Sequence, residues 1–519
     1  MATNGMGKVF LVGAGPGDPG LLTLRGAELL SHAQVVVYDY LASPLLLKHC
    51  PSAEIIYVGK KAAEHTRTQD QINELLVAKA KEGKQVVRLK GGDPFIFGRG
   101  GEECLALAAE GIAFEVVPGI TSAIAAPAYA GIPVTHRDLN SSFTLMTGHE
   151  KEEDYRDPLA AGRAAGDASD LDWSVLAKLP ALAFYMGVKA LPRLCRKLVE
   201  HGMDPSTPAA SIRWGTTPRQ QTVVGTVATL ADEVAVAGLQ PPAMTIIGKV
   251  VALRDKLNWF ESRPLFGKIV VVTRTRQQAS DLTMRLMELG AQVIEAPTIE
   301  LSESSDLATV DAALGSASGF DWIVFTSANG VSFTRTRLKQ LGLDVRAFGA
   351  AKIAAIGDVT ARSVEDQLSL RVDLCPARFV AEALADELQL QGQIAGGRFL
   401  LLRADIGRPI LTERLRAGGA AEVQDVAIYQ TRRPAALPDE LLEALLVHQV
   451  HWITFTSSST ARNFAEMLGP DYAAKLQGIK FASIGPITTG TMRELGLPPS
   501  VEADTSDITH LADAIAAAR

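Results

Sequence analysis

Short apolar runs that stop at a glycine turn and give way to helical spacing constrain this chain most. KVFLVGAG (8–15) is a strand ending in such a turn. Residues 21–31 have helical spacing, and AQVVVYD (33–39) is the next strand. EIIYVGK (54–60), a helix around 69–81, and QVVRLKGGDP (85–94) repeat the rhythm. Strands alternating with helices predict an α/β chain whose strand ends carry loops open to a ligand. Further strands are expected at ALAFYMG (181–187), PAASIRWG (208–215) and AMTIIGKVV (243–251). Residues 251–268 carry a helix and a short linker, and KIVVVTR (268–274) opens afresh. The major boundary is therefore expected between residues 263 and 264.

The second half repeats itself. The segment at 270–291 resembles 400–420, TSANGVSF at 326 resembles TSSSTARNF at 456, and AAIGDVTA at 354 resembles ASIGPITT at 482. The three pairs share an offset of 128 to 130 positions, which predicts two similar α/β lobes. At 519 residues the chain has room for three or four domains, each able to bury a core.

Composition excludes several classes. With 47% hydrophobic and 21% charged residues, it is neither collagen-like, coiled coil nor largely disordered. A net charge of −7 and a pI near 5.8 do not advertise nucleic-acid binding. The 150–173 stretch, with eight acids and three bases, supplies most of that charge and reads as a surface loop. MATNGMGKVF runs straight into a strand, so no secretory signal is expected. The uncharged 116–135 segment is rich in Pro, Gly, Ser and Thr, which predicts a buried loop–helix–loop rather than a membrane span. Cys50, Cys104, Cys195 and Cys375 lie far apart without a CxxC, so reduced thiols in a cytoplasmic protein are expected. No histidine spacing supports a metal site.

The loop VGAGPGDPG approaches the dinucleotide fingerprint, but Asp18 stands where the third glycine belongs. Asp39 would be the acidic ribose partner, so an NAD-dependent oxidoreductase remains an alternative from these residues. A second glycine loop, RLKGGDPFIFGRGGEE (88–103), and VVPGITSA (116–123) follow other strands. Taken with VVYD, YVGK, GIPVTHRD, TGH, FYMG, GT-x-P-x-Q and ALRDKLNWF, these blocks resemble the uroporphyrinogen-III C-methyltransferases of the tetrapyrrole methylase family over residues 7–260.

That resemblance implies S-adenosylmethionine as methyl donor, S-adenosylhomocysteine as product, and methylation of uroporphyrinogen III at two ring carbons to precorrin-2. It implies Asp39 as proton acceptor and Lys60 as proton donor. Pro16, Gly91, Gly92, Asp93, Ile96, Thr121, Ser122, Met186, Gly215 and Ala243 fall on positions lining the cofactor. Arg99, Glu102 and Arg137 fall in blocks facing the carboxylate-rich tetrapyrrole, whose acids suit arginine forks. Asp39 also reads as a plain strand-end turn acid, and Met186 as a core methionine. His136 and His149 have no nucleophile to pair with and read as structural. A match that starts near residue 7 implies that no dehydrogenase–chelatase module precedes it.

VVTR, TSANGV, AAIG-x-x-T, YQTR, FTSSST-x-x-NF and SIGPITT resemble the uroporphyrinogen-III synthases over residues 265–515. The implied reaction takes hydroxymethylbilane, expels its hydroxyl, inverts ring D and closes the macrocycle. Tyr429 matches the tyrosine assigned to assist that departure; it also reads as a strand-end tyrosine with its hydroxyl in solvent. Thr326, Ser327, Thr456, Ser457, Ser458 and Thr488 form hydroxyl-rich loop tips, able to cap helices and to face substrate. A degenerate binding module is the alternative for this half.

The expected organisation is a two-lobed methylase at 7–262, with lobes 7–138 and 139–262, followed by a two-lobed α/β synthase at 263–519. The repeat alone would divide the synthase near 395. The resemblance instead implies one lobe of 265–299 plus 432–519 and another of 300–431. A homodimer through the first half is implied, with no metal, nucleic acid or membrane partner.

Overall fold

The computed structural model describes residues 6–59, 67–148, 171–274, 276–407 and 409–518. Lys60, His149 and the 150–173 stretch up to residue 170 lie outside them. Twenty strands run in chain order: β1 Lys8–Gly13, β2 Val35–Tyr38, β3 Glu54–Tyr57, β4 Gln85–Lys90, β5 Ala113–Val117, β6 Thr144–Thr147, β7 Ala181–Tyr185, β8 Pro208–Arg213, β9 Gln221–Thr226 and β10 Ala243–Gly248. The second half supplies β11 Ile269–Val272, β12 Gln292–Glu295, β13 Glu300–Glu303, β14 Trp322–Phe325, β15 Lys352–Ala355, β16 Arg398–Ala404, β17 Glu422–Arg432, β18 Trp452–Phe455, β19 Lys480–Ser483 and β20 Val501–Glu502. They form four five-stranded sheets. Two compact units result, one of residues 1–269 with 286–292, the other holding almost all the rest.

In the first unit, one sheet has the order β3-β2-β4-β1-β5 and is parallel throughout. Parallel sheets are covered on both faces, which is why Val9, Leu11, Val35, Val37, Val86 and Leu89 are fully buried. The helix Leu24–Ser31 starts three residues later than its spacing suggests. Pro19–Leu21 forms a short 3₁₀ turn instead, and the Thr23 hydroxyl caps the helix by accepting from Gly26 N. The second sheet, β6-β7-β10-β8-β9, pairs β6 with β7 in parallel and is antiparallel elsewhere. The 116–135 segment opens on the last two residues of β5, and the rest is a loop, the helix Ser122–Tyr129 and a loop. Among the described residues no helix is long and apolar enough to cross a membrane.

In the second unit, β11 and β12 share a sheet with the late strands, in the order β12-β11-β18-β19-β20. The other sheet is β13-β17-β16-β14-β15. The repeated segments occupy matching places: β14 and β18 each run into a Thr-Ser pair and a helix, Ala328–Gln340 and Ser458–Leu468. Strand order, not repeat order, therefore groups the residues, because the chain leaves the first sheet after β12 and returns to it at β18.

Candidate active sites

Loops at the carboxyl ends of β1, β4 and β5 pack backbone on backbone. Gly15 and Gly92 form an antiparallel bridge, Gly92 N donating to Gly15 O at 2.7 Å. A Cβ on Gly119 would sit 2.2 Å from Gly92 O and 2.7 Å from Gly13 Cα, so no larger residue fits without moving backbone. Asp93 ties these loops together. Its Oδ2 accepts from Gly119 N at 3.0 Å, and its Oδ1 from Phe95 N and Ile96 N at 2.8 and 3.2 Å. Both Asp93 oxygens thus hold protein backbone.

The facing lobe brings Tyr185 and Met186 from the end of β7. Thr121 Oγ1 lies 2.5 Å from Tyr185 Oη, and Phe97 packs its ring 4.9 Å from that of Tyr185. Burial pushes the Tyr185 phenol above its ordinary value, against the hydrogen bonds from Thr121, Ala123 N and Ser122. Met186 is 57% exposed in a left-handed conformation with φ of 53°, so the core-methionine reading fails. Ala243 pairs with Arg213 two residues before Gly215, and Met244 with Tyr185, which carries these positions to the same strand ends. Pro16 lies in the β1 loop, where Asp18 N donates to Thr216 Oγ1 at 3.0 Å and Tyr129 Oη donates to Asp18 Oδ2 at 2.6 Å. These contacts link the loops that carry Pro16, Gly91, Gly92, Asp93 and Ile96 to Thr121 and Ser122 and to the strand ends that carry Met186, Gly215 and Ala243. Exposed apolar Ile96, Phe97 and Met186 beside glycine backbone and hydroxyls suit a ligand with apolar and polar parts, such as an adenosyl sulfonium.

Asp39 sits at the end of β2, beside this cleft. A Cβ on Gly91 would touch Leu41 Cβ at 2.4 Å, and Leu41 N donates to Asp39 Oδ1 at 3.1 Å. Its other oxygen accepts from Arg88 Nη2 at 2.9 Å. Arg88 is 3% exposed and lies in the middle of the central strand β4. Its Nε donates to Glu103 Oε1 at 3.1 Å, and Lys90 Nζ reaches the same oxygen at 2.9 Å. Glu103 is fully buried, and its Oε2 has no hydrogen-bond partner among the described residues. Burial, then the neighbouring Arg88, pulls the Lys90 amine below its ordinary value, while Glu103 opposes them. The sequence reading missed Arg88, Lys90, Glu103 and Tyr185. Two cations inside the central strand of a parallel sheet were the available signal, because helices cover both faces of such a sheet.

Arg99 and Glu102 form an exposed bidentate pair at 2.9 and 2.6 Å across the start of the helix Gly100–Ala109. Arg137 is exposed and makes no hydrogen bond or ion pair among the described residues. His136 holds a turn, its N donating to Asn140 Oδ1 at 2.9 Å.

In the second half, Tyr429 is 6% exposed, which excludes a hydroxyl loose in solvent. Its Oη lies 3.1 Å from Ser327 Oγ, and its ring stacks on Phe333 at 5.2 Å. Ser327 also caps its helix, accepting from Gly330 N at 3.1 Å. Ser457 caps the matching helix through a capping box with Thr460. Ser458 Oγ accepts from Thr491 Oγ1 at 2.8 Å, joining that tip to the helix Pro486–Glu494, where Thr488 is buried. Thr326 and Thr456 are half-buried just ahead of the caps. The structure thus gives two separate groups, and no hydrogen bond joins Ser327 to Ser457 among the described residues.

A glycine-lined cleft at strand ends, followed by a two-lobed module with hydroxyl-rich strand ends, defines an α/β chain built for small-molecule chemistry. Family models place it further. Residues 8–231 match Tetrapyrrole (Corrin/Porphyrin) Methylases, and residues 280–513 match Uroporphyrinogen-III synthase HemD. The chain is 38% identical to the porphyrin biosynthesis protein HemD of Ruminiclostridium josui, over 88% of each chain. It is 41% identical to a uroporphyrinogen-III C-methyltransferase of Bacillus subtilis over 69% of this chain and 71% of that one. A solved uroporphyrin-III C-methyl transferase from Thermus thermophilus, complexed with S-adenyl homocysteine, is 38% identical over 48% of this chain and all of its own, with a TM-score of 0.39. The chain belongs to the family of enzymes that join a tetrapyrrole methylase to a uroporphyrinogen-III synthase in one polypeptide.

Proposed function

We propose that residues 263–519 cyclise hydroxymethylbilane to uroporphyrinogen III with ring D inverted, and that residues 7–262 methylate that product twice to precorrin-2. Each half would work through two lobes: 7–138 with 139–262, then 265–299 plus 432–519 with 300–431. A homodimer accompanies this reading on the strength of the family resemblance, and a cytoplasmic location on that of the four scattered cysteines. The NAD-dependent oxidoreductase loses its support, since residues 8–231 match the tetrapyrrole methylases.

When bound, S-adenosylmethionine supplies a methyl group already activated on positive sulfur, so placement matters more than a strong catalyst. Gly91, Gly92, Gly215 and Ala243 allow close approach of backbone, while Ile96 and Met186 cover the apolar part. Thr121 and Ser122 offer hydroxyls, and Asp93 keeps the loops in register by its three backbone hydrogen bonds. Asp39 takes the proton that the methylated pyrrole ring releases, and Lys60 is assigned a donor role by resemblance alone. Arg99 and Arg137 meet the ring's carboxylates, Arg99 exchanging its exposed partner Glu102 for a substrate acid. In the second half the Tyr429 hydroxyl assists departure of the substrate hydroxyl, and the Thr326–Ser327, Thr456–Ser458 and Thr488 tips hold carboxylates.

One observation carries the reading of the first half: a part-exposed carboxylate, held on both oxygens, stands beside the glycine loops at the strand ends. Asp39→Asn keeps the size and the Leu41 contact. We expect it to bind S-adenosylhomocysteine normally by calorimetry and to lose methylation by about 10²-fold or more. Unchanged turnover refutes the role of Asp39.

A further inference from the structure

We propose that Arg88 is a positioning residue for methyl transfer, locking the Asp39 carboxylate at one angle, and that Glu103 and Lys90 lock Arg88 in turn. This rests on the reading of Asp39 as the proton acceptor. Every contact in the chain of groups is short and nearly dry. Arg88 spends its fork on two acids, Nη2 on Asp39 at 2.9 Å and Nε on Glu103 at 3.1 Å. Its Nη1 donates to Leu89 O at 3.0 Å, so the guanidinium plane is fixed on three sides. Lys90 Nζ at 2.9 Å and Gln69 Nε2 at 3.3 Å hold Glu103 Oε1 from the opposite side.

Arg88, Lys90 and Glu103 are 3%, 4% and 0% exposed, whereas the Asp39 side chain keeps 26% of its surface. Of these four charged groups, Asp39 is thus the one that keeps exposed surface, at the carboxylate proposed to react. Buried ion networks are weak sources of stability compared with apolar packing. Val86, two residues earlier on the same face of β4, shows the apolar filling this layer otherwise uses. Four charged groups in its place make sense as orientation of the fifth partner, the substrate proton. A rigid carboxylate gains its rate from not having to be oriented in the transition state.

The test is a double-mutant cycle in the full chain, with Asp39→Asn, Arg88→Lys and the pair. A lysine cannot span Asp39 and Glu103 together. We expect Arg88→Lys to lower kcat for methylation at least tenfold while KM for S-adenosylmethionine and affinity for S-adenosylhomocysteine stay within twofold. In the double variant Arg88→Lys should add nothing to the loss from Asp39→Asn, because it acts only through that carboxylate. Losses that multiply, or wild-type kcat in Arg88→Lys, overturn the positioning role. Full activity in Asp39→Asn instead overturns the reading of Asp39 itself. If Arg88→Lys does not fold, Glu103→Gln, which keeps shape, enters the same cycle with the same expected and contrary results.

Discussion

Replacing Tyr429 by Phe separates chemistry from structure in the second half. The change removes one hydroxyl whose partner is Ser327 Oγ at 3.1 Å. The ring keeps its stack on Phe333, and Ser327 keeps its cap on Gly330 N. Loss of one hydrogen bond costs roughly 0.5–1.5 kcal/mol. A domain stable by only about 5 kcal/mol would retain about 3.5 kcal/mol, a folded excess of several hundred to one. Unfolding therefore cannot account for any large fall in rate. If the phenol assists departure of the hydroxyl, kcat should drop about 10²-fold, within the usual range for a lost general acid. Ser327→Ala removes the same hydrogen bond and a helix cap worth about 1 kcal/mol, yet keeps the phenol. It should cost far less rate than Tyr429→Phe. The assay starts from hydroxymethylbilane, oxidises the products and separates type I and type III uroporphyrins. An unchanged rate and isomer ratio in Tyr429→Phe would refute the catalytic assignment, leaving Tyr429 as a packing residue.

Two further outcomes are expected. Gly119→Ala should cost roughly 1–3 kcal/mol by overpacking and weaken S-adenosylhomocysteine binding, since its Cβ would meet Gly92 O at 2.2 Å; Gly101→Ala, with nothing within 4 Å, is the control. Normal affinity in Gly119→Ala would detach the glycine cluster from the cofactor. For pH, burial pushes the Asp425 carboxyl up, but Arg403 and Thr412 outweigh it and leave it below its ordinary value. A depressed carboxyl adds stability above its unfolded value and loses it as pH falls through the folded one. The urea-midpoint gap between wild type and Arg403→Met should thus narrow from pH 7 to about pH 3.5; a constant gap would contradict the pairing.

The α/β class was legible because β1, β2, β7 and β11 are apolar runs bounded by turn residues, a local pattern. The repeat in the second half was legible for the same reason, as Ser327 and Ser457 cap equivalent helices with local hydrogen bonds. What joins distant segments was not. Ser327 meets Tyr429 across 102 positions, and Thr121 meets Tyr185 across 64. Arg88 and Lys90 were missed because charges on a strand usually mark a solvent face. Here the helices packed on that face of β4 cover it, and one of them carries Glu103 to both side chains. The FYMG block places Met186 among the cofactor-lining positions, with a core methionine as the alternative, and its exposure removes that alternative. Asp93 reads as lining the cofactor, and its bonds to loop amides, which tie distant segments together, were not legible.

The most direct test of the account gives the full chain hydroxymethylbilane and S-adenosylmethionine with no other enzyme, and follows products by absorbance and mass. The account predicts precorrin-2, carrying two transferred methyl groups on a type III ring. Uroporphyrinogen I alone, or uroporphyrinogen III without added methyl groups, would contradict it.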